Sequence, residues 1–292
     1  MLGGRHYRTR FATEVAEDAS PSPKQPVART LLPRCGLEVS RIGLGLAHLH
    51  LLSDDAARKR LLHRALDLGI THFDTARFYS DGFSEATVGR LLAQNRSSVT
   101  IATKFGLLPT PLIGSLGAAA PPFRKARSLL SKLRMVEYPR RSYARATMRE
   151  SLQASLRALK TDYIDIYLLH EPLLTSHPEE GLFEDLEKEK QKGSIRYIGV
   201  SGARVDSIVE RHGRFLDVIQ TSEASWSENR FVPDITHSLF SETARQNGAK
   251  LEEDAVQRLM HDALARRPSG AVVVQTRQPG HLEELVTMAE GR

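Results

Sequence analysis

Apolar residues recur along this chain in short unbroken runs. Most runs are followed by a longer stretch in which apolar positions return every three or four residues. The runs Ile42–Ala47, Ile70–Thr75, Val99–Phe105, Tyr163–His170, Ile195–Ser201, Phe215–Gln220, Asp234–Phe240 and Ala271–Gln275 predict eight strands. Helical spacing predicts a helix from about 54 to 68, with Leu61, Leu62, Ala65 and Leu66 on one face, Ser53 as N-cap and Gly69 as the stop. Further helices are expected over 84–94, over 143–160 with Met148, Leu152, Leu156 and Leu159 aligned, over 182–192 ending at Gly193, and briefly up to Val209. The last two are expected over 251–267, carrying Val256, Leu259, Met260 and Leu264, and over 281–290.

Strands that are mostly unbroken Val, Ile and Leu suit a parallel sheet covered on both faces. Eight strand–helix units close naturally as a (β/α)8 TIM barrel. The other arrangement is an open doubly wound sheet. It calls for a Gly-x-Gly-x-x-Gly turn after the first strand, and Gly43 and Gly45 begin one that Leu46-Ala47-His48 does not complete. Ahead of the barrel, Ala28–Leu32 and Leu37–Val39 form a hairpin candidate turning at Cys35-Gly36. The resulting plan is a polar leader over 1–28 ending in the Pro-rich Ser20–Pro26, then one barrel domain over 29–292. Residues 107–142 interrupt it as a long irregular loop with Pro109, Pro111, Pro121 and Pro122.

Composition narrows the function classes. At 292 residues, 40% hydrophobic and 26% charged, the chain is an ordinary globular one. It has no apolar stretch near the roughly 18 residues that a membrane helix requires, and its first twenty residues lack a secretory apolar core. One cysteine, Cys35, excludes an internal disulfide framework. Together these favour the cytoplasm and give no reason to expect a membrane partner. The net charge of +6 suits either nucleic acid or an anionic small molecule. The basic residues are scattered; the densest stretch, Arg124 to Arg141, reads as a solvated loop face, so no nucleic-acid partner is expected.

Barrel chemistry is built at the C-terminal ends of the strands. Those ends here read His72-Phe73-Asp74-Thr75, with Tyr79 just beyond, then Thr103-Lys104, His170-Glu171, Ser201-Gly202 and Gln220-Thr221. Taken singly, each has a plainer reading. Asp74 fits a turn or a helix cap, Lys104 a chain snorkelling to water, Tyr79 a rim aromatic and His170 a structural histidine. Taken together they make a working set. A phenol near pKa 10 is a poor acid at neutral pH unless its phenolate is stabilised. A lysine ammonium beside Tyr79 is expected to lower that value, with a buried Asp74 holding Lys104 charged. The His170 imidazole and the phenol then converge on one substrate oxygen where negative charge develops. No metal ligands are called.

The segment Asp74-Thr75-Ala76-Arg77-Phe78-Tyr79, followed by Gly82 and Ser84-Glu85, resembles the aldo-keto reductase signature "DTAxxYxxGxSE". Thr103–Gly106 is similar to that family's lysine strand, and Leu168-Leu169-His170, reached through Asp162–Asp165, to its histidine strand. The resemblance implies a (β/α)8 barrel that reduces an aldehyde or ketone reversibly. Tyr79 would be the general acid, tuned by Asp74 and Lys104, with His170 orienting the carbonyl. It also implies NADPH held across the barrel mouth, its carboxamide met by Ser201 and Gln220. Gly202 stands where the family usually has Asn.

Val274–Glu284 resembles the family's adenosine-phosphate loop. Thr276, Arg277, His281 and Glu284 would contact the cofactor there, with the Arg277 guanidinium on the 2′-phosphate. Leu285 stands where Asn is usual, and His237 matches the position that stacks on the nicotinamide. Trp226 and Phe231 are candidate pocket walls, with packing on the barrel rim an equal alternative for Trp226. The partner expected is a small carbonyl compound, and the chain is expected to be a monomer or a weak homo-oligomer. An NADPH-binding regulatory barrel with vestigial catalysis remains the alternative.

Overall fold

A computed structural model describes residues 26–110, 140–173, 175–240 and 252–290. Most of the leader expected over 1–28, and of the loop expected over 107–142, lies outside these residues. A two-stranded hairpin opens the described chain, β1 (Arg29–Leu31) antiparallel to β2 (Glu38–Ser40). Eight parallel strands follow: β3 (Ile42–Gly45), β4 (His72–Asp74), β5 (Thr100–Phe105), β6 (Ile164–His170), β7 (Ile195–Ser201), β8 (Val218–Ser222), β9 (Ile235–His237) and β10 (Ala271–Val274). They close in sequence order, β10 pairing with both β9 and β3.

Helices α1 (Asp55–Asp67), α2 (Phe83–Leu91), α3 (Arg145–Leu159), α4 (Leu182–Gln191), α5 (Asp206–His212), α6 (Glu253–Ala265) and α7 (Pro279–Ala289) surround the strands. The apolar stripes read from the sequence face inward: Leu61, Leu62, Met148, Leu152, Leu159 and Met260 are all buried in one outer core. A smaller core lies inside the barrel, where Ala102, Ile166, Leu168, Val218, Ile235 and Val273 meet Leu32, Leu37 and Val39 of the hairpin. The hairpin therefore plugs one end and leaves the C-terminal ends of the strands open. Gly43 leaves room inside for a histidine ring, since a Cβ there would lie 2.7 Å from His72 Cδ2.

Several expectations need correction. The N-cap of α1 is Asp54, not Ser53: Asp54 is extended and its carboxylate accepts from Ala57 N at 2.7 Å. A carboxylate answers the positive end of a helix better than a hydroxyl, and Ser53 supports it by donating to Asp54 Oδ2 at 2.9 Å. The strand expected over 234–240 is cut to Ile235–His237, because Ser238 turns left-handed at φ 59°. Among the described residues, no α-helix joins β8 to β9. Residues 223–234 hold only a 3-10 turn, Trp226–Glu228.

Polar side chains cover the barrel wall at that gap. Arg267, 2% exposed, lies along β9 and donates to Glu223 Oε2 at 3.0 Å and to Thr236 Oγ1. The guanidinium carbons of Arg266 and Arg267 sit 5.3 and 5.0 Å from the Trp226 ring centroid. Trp226 thus dresses the outer wall, and Phe231 packs on the outer core. Trp226 takes the packing role that the sequence also allowed, and Phe231 takes a core contact in place of the pocket wall expected.

Candidate active site

β4, β5, β6, β7 and β8 are neighbours in the closed sheet, so their C-terminal ends bring Asp74, Lys104, His170, Ser201 and Gln220 to one mouth. The pairing His170↔Ser201↔Gln220 sets three of them side by side across the ladder. Tyr79 arrives from outside the strands. The turn that carries it runs through Ser80 and Asp81 at φ 54° and 59° and Gly82 at φ 91°. Left-handed backbone at two non-glycine residues costs about 1–3 kcal/mol each and clusters where a side chain must be aimed. Behind the turn, Thr75 Oγ1 donates to Ser84 Oγ at 2.9 Å, and Ser84 Oγ donates to Leu46 O at 3.0 Å.

Lys104, 1% exposed, sits at the centre. Its Nζ donates to Asp74 Oδ1 at 2.5 Å, to Thr75 O at 2.9 Å and to Tyr79 OH at 3.4 Å. Burial pulls the ammonium down, but Asp74 and then Tyr79 outweigh it, and Lys104 stays above its ordinary value. It is therefore charged at neutral pH. Gln220 Nε2 donates to the other Asp74 oxygen at 2.8 Å. The sequence expectation for Tyr79 is reversed in direction: burial raises the phenol above its usual value, against the pull of Lys104. Desolvation of the phenolate outweighs one ammonium at 3.4 Å.

The His170 ring stands edge-on to Tyr79, 5.7 Å between centroids. Burial, then Lys104, holds its imidazole well below the ordinary range, so it is neutral. Phe78 meets the same ring at 6.3 Å. Two buried polar atoms at the mouth, His170 Nδ1 and Gln220 Oε1, have no hydrogen-bond partner among the described residues. A buried acceptor without a donor costs about 1–3 kcal/mol, so such an atom points to a ligand that completes it. Gln220 Oε1 suits an amide N–H, and with Ser201 beside it the residues present fit a nicotinamide carboxamide. His237 joins the same rim from β9, its imidazole pushed down to about 4 by burial.

The phosphate-loop candidates lie apart from this cluster. Thr276 and Arg277 follow β10, and His281 and Glu284 fall three residues apart on α7. Arg277, His281 and Glu284 are exposed, and Thr276 Oγ1 accepts from Gln278 N at 3.1 Å. The N-terminus of α7 has no side-chain cap, which leaves the N–H groups of Gly280 and His281, just after Pro279, for an anion. Burial, and then the nearby Arg277 charge, lower the imidazole of His48 on the loop after β3. Leu285 is 7% exposed and packs in the outer core.

Two residues by the mouth were given no role by the sequence. The Tyr143 hydroxyl donates to His170 O at 2.8 Å and to Glu171 O at 2.9 Å, and a Cβ on Gly106 would lie 2.2 Å from its ring. Glu171 follows His170 at φ 48°. A polar residue directly after a strand-end histidine was the only available signal for Glu171. Tyr143 gave none, being indistinguishable from the start of a helix.

A family model described as the aldo/keto reductase family matches residues 41–230. The uncharacterized oxidoreductase YqkF of Bacillus subtilis is 33% identical over 174 residues, covering 60% of this chain and 48% of that protein. The aldo-keto reductase yakc of Schizosaccharomyces pombe, whose name specifies NADP(+), is 31% identical, covering 58% of this chain and 44% of that one. The chain thus spans about half the length of the curated relatives it matches. In structure, aldo-keto reductase AKR11C1 from Bacillus halodurans, in its holo form, superposes with a TM-score of 0.67 at 22% identity, covering 90% of this chain and 91% of that one. That likeness concerns the fold.

Proposed function

The chain belongs to the aldo/keto reductase family of oxidoreductases, and we propose that it reduces an aldehyde or ketone to the alcohol, reversibly, with NADPH. The observation that carries this reading is half-buried Tyr79 joined to the buried Lys104–Asp74 pair by a hydrogen bond from Lys104, beside a neutral His170. When bound, the dihydronicotinamide supplies hydride to the carbonyl carbon. The chain's own work is at the oxygen. The Tyr79 hydroxyl donates a hydrogen bond to it and then its proton, and Lys104 at 3.4 Å stabilises the phenolate left behind. Asp74 keeps Lys104 charged in a site where an unpaired ammonium would lose its proton. The neutral His170 imidazole gives a second hydrogen bond to the same oxygen.

Ser201 and Gln220 would hold the carboxamide. Thr276, Arg277, His281 and Glu284 would hold the adenosine phosphate, Arg277 as a fork on the 2′-phosphate. Because Gln220 touches Asp74 with one end and is open at the other, cofactor binding and the acid site share one side chain. The substrate is a small carbonyl compound entering between Phe78, Tyr79 and His170. Purified protein should quench NADPH fluorescence and oxidise NADPH with aromatic or short aldehydes. Binding without turnover on a broad carbonyl panel would return the barrel to a regulatory role. No binding of NADPH or NADH would end both readings.

A further inference from the structure

We propose that Glu171 is a cofactor-positioning residue: its carboxylate, laid beside Gly202, accepts a hydrogen bond from the NH2 group of the nicotinamide carboxamide, an assignment that rests on the nicotinamide reading above. Glu171 extends β6 one residue past His170. Its N–H donates to Ser201 O at 2.6 Å, and its carbonyl accepts from Tyr143 OH at 2.9 Å and Arg141 Nε at 3.2 Å. These tethers fix both ends of the peptide in a left-handed conformation, φ 48°, which a glutamate avoids when free. Such an over-determined residue at a strand end is a device for aiming a side chain.

Gly202 shows where that side chain lies. A Cβ on residue 202 would stand 3.3 Å from both Glu171 Cα and Pro172 Cδ, and 3.6 Å from Glu171 Oε2. The Glu171–Pro172 turn therefore lies tight against residue 202, where a Cβ would need its neighbours to give by a few tenths of an ångström. The space a side chain at 202 would fill is bordered by the Glu171 carboxylate. The carboxylate also acts on the reacting centre electrostatically: Glu171 is among the charges that raise Tyr79, and Lys104 among those that favour ionised Glu171. Burial pushes the carboxyl up, while the Ala203 N–H and Arg141 favour its charged form.

Hydrogen-bond counting matches this set to a primary amide. The amide brings two N–H donors and one carbonyl acceptor. Around Ser201 the chain offers two acceptors, Gln220 Oε1 and the Glu171 carboxylate, and one hydroxyl donor, Ser201 itself. With Gln220 alone, one amide N–H would be buried unpaired. The Glu171–Gly202 pair thus replaces the missing side chain from the adjacent strand.

The test uses NADP+ and its 3-acetylpyridine analogue, in which a methyl group replaces the amide NH2, with binding followed by calorimetry. Wild type should bind the natural cofactor about tenfold or more tightly than the analogue, the worth of a hydrogen bond to a charged group. Glu171→Ala should weaken NADP+ by about that factor and leave the analogue unchanged, so that discrimination disappears. Glu171→Gln keeps an acceptor of the same size without the charge and should fall between; it also serves if the alanine variant does not fold. Unchanged NADP+ affinity in both variants, or equal weakening of the two ligands, overturns the role of Glu171 while leaving the nicotinamide reading standing. A substrate KM that moves while cofactor affinity and discrimination hold assigns the carboxylate to the substrate instead. Failure of wild type to bind either dinucleotide removes both readings.

Discussion

Lys104 and Asp74 are 1% and 4% exposed and locked to each other, whereas Arg277, His281 and Glu284 stand on the rim in contact with water. The same charge types thus serve in two opposite settings. Inside the barrel, low local dielectric strengthens each interaction and makes each unpaired group costly. On the β10–α7 rim, water and salt screen the charges, so they contribute little to the fold. The proposed acid site is built by burial, whereas the proposed phosphate loop leaves its side chains exposed.

The largest effect should come from the buried half. Tyr79→Phe removes the transferable proton and should lower kcat by about 10²–10⁴-fold while leaving NADPH affinity, read by fluorescence, within about twofold. A matching loss of binding would show that the hydroxyl holds the cofactor. Next, Lys104→Met strands the Asp74 carboxylate in the interior and should cost about 3–5 kcal/mol of stability in urea unfolding. Adding Asp74→Asn should recover part of that loss; no recovery would mean that packing, not charge, was lost.

Beneath the site, His72 is pushed down to about 4 by burial. It stays neutral in the folded chain, while its unfolded form takes a proton near pH 6.5. The unfolded state then binds more protons, so this contribution is full above pH 6.5 and is lost as pH falls toward about 4. His72→Gln should therefore lose about 3 kcal/mol less stability than wild type between those limits. Parallel pH profiles would exclude it.

The smallest effect belongs to the rim. Arg277→Ala should weaken NADPH more than NADH by about 1–3 kcal/mol, and the gap should shrink with added salt. Equal weakening of the two cofactors would remove Arg277 from the 2′-phosphate.

Legibility in the sequence followed the same divide. Strand runs and helix stripes were visible because burial on both faces leaves a continuous pattern, and Asp74, Lys104 and His170 stood out as polar residues ending apolar runs. The missing helix between β8 and β9 was harder to see. Nothing in the pattern said that Arg267 would lie along β9 and, with Glu223 and Thr236, clothe the wall in its place.

The amino-acid pattern by itself determined the eight strands and most of the helices, and it put Asp74, Lys104, His170, Ser201 and Gln220 at the ends of strands; closure and strand order came from the structure. Periodicity fixes which face is buried, and closure then sets the strand ends side by side. Only the tertiary structure decided the charge states and the fine fit. The direction of the Tyr79 shift depends on how much water burial excludes against one ammonium at 3.4 Å. The meaning of Gly202 depends on how closely the Glu171–Pro172 turn approaches it. Both are distances between residues remote in sequence, and local pattern carries no record of them.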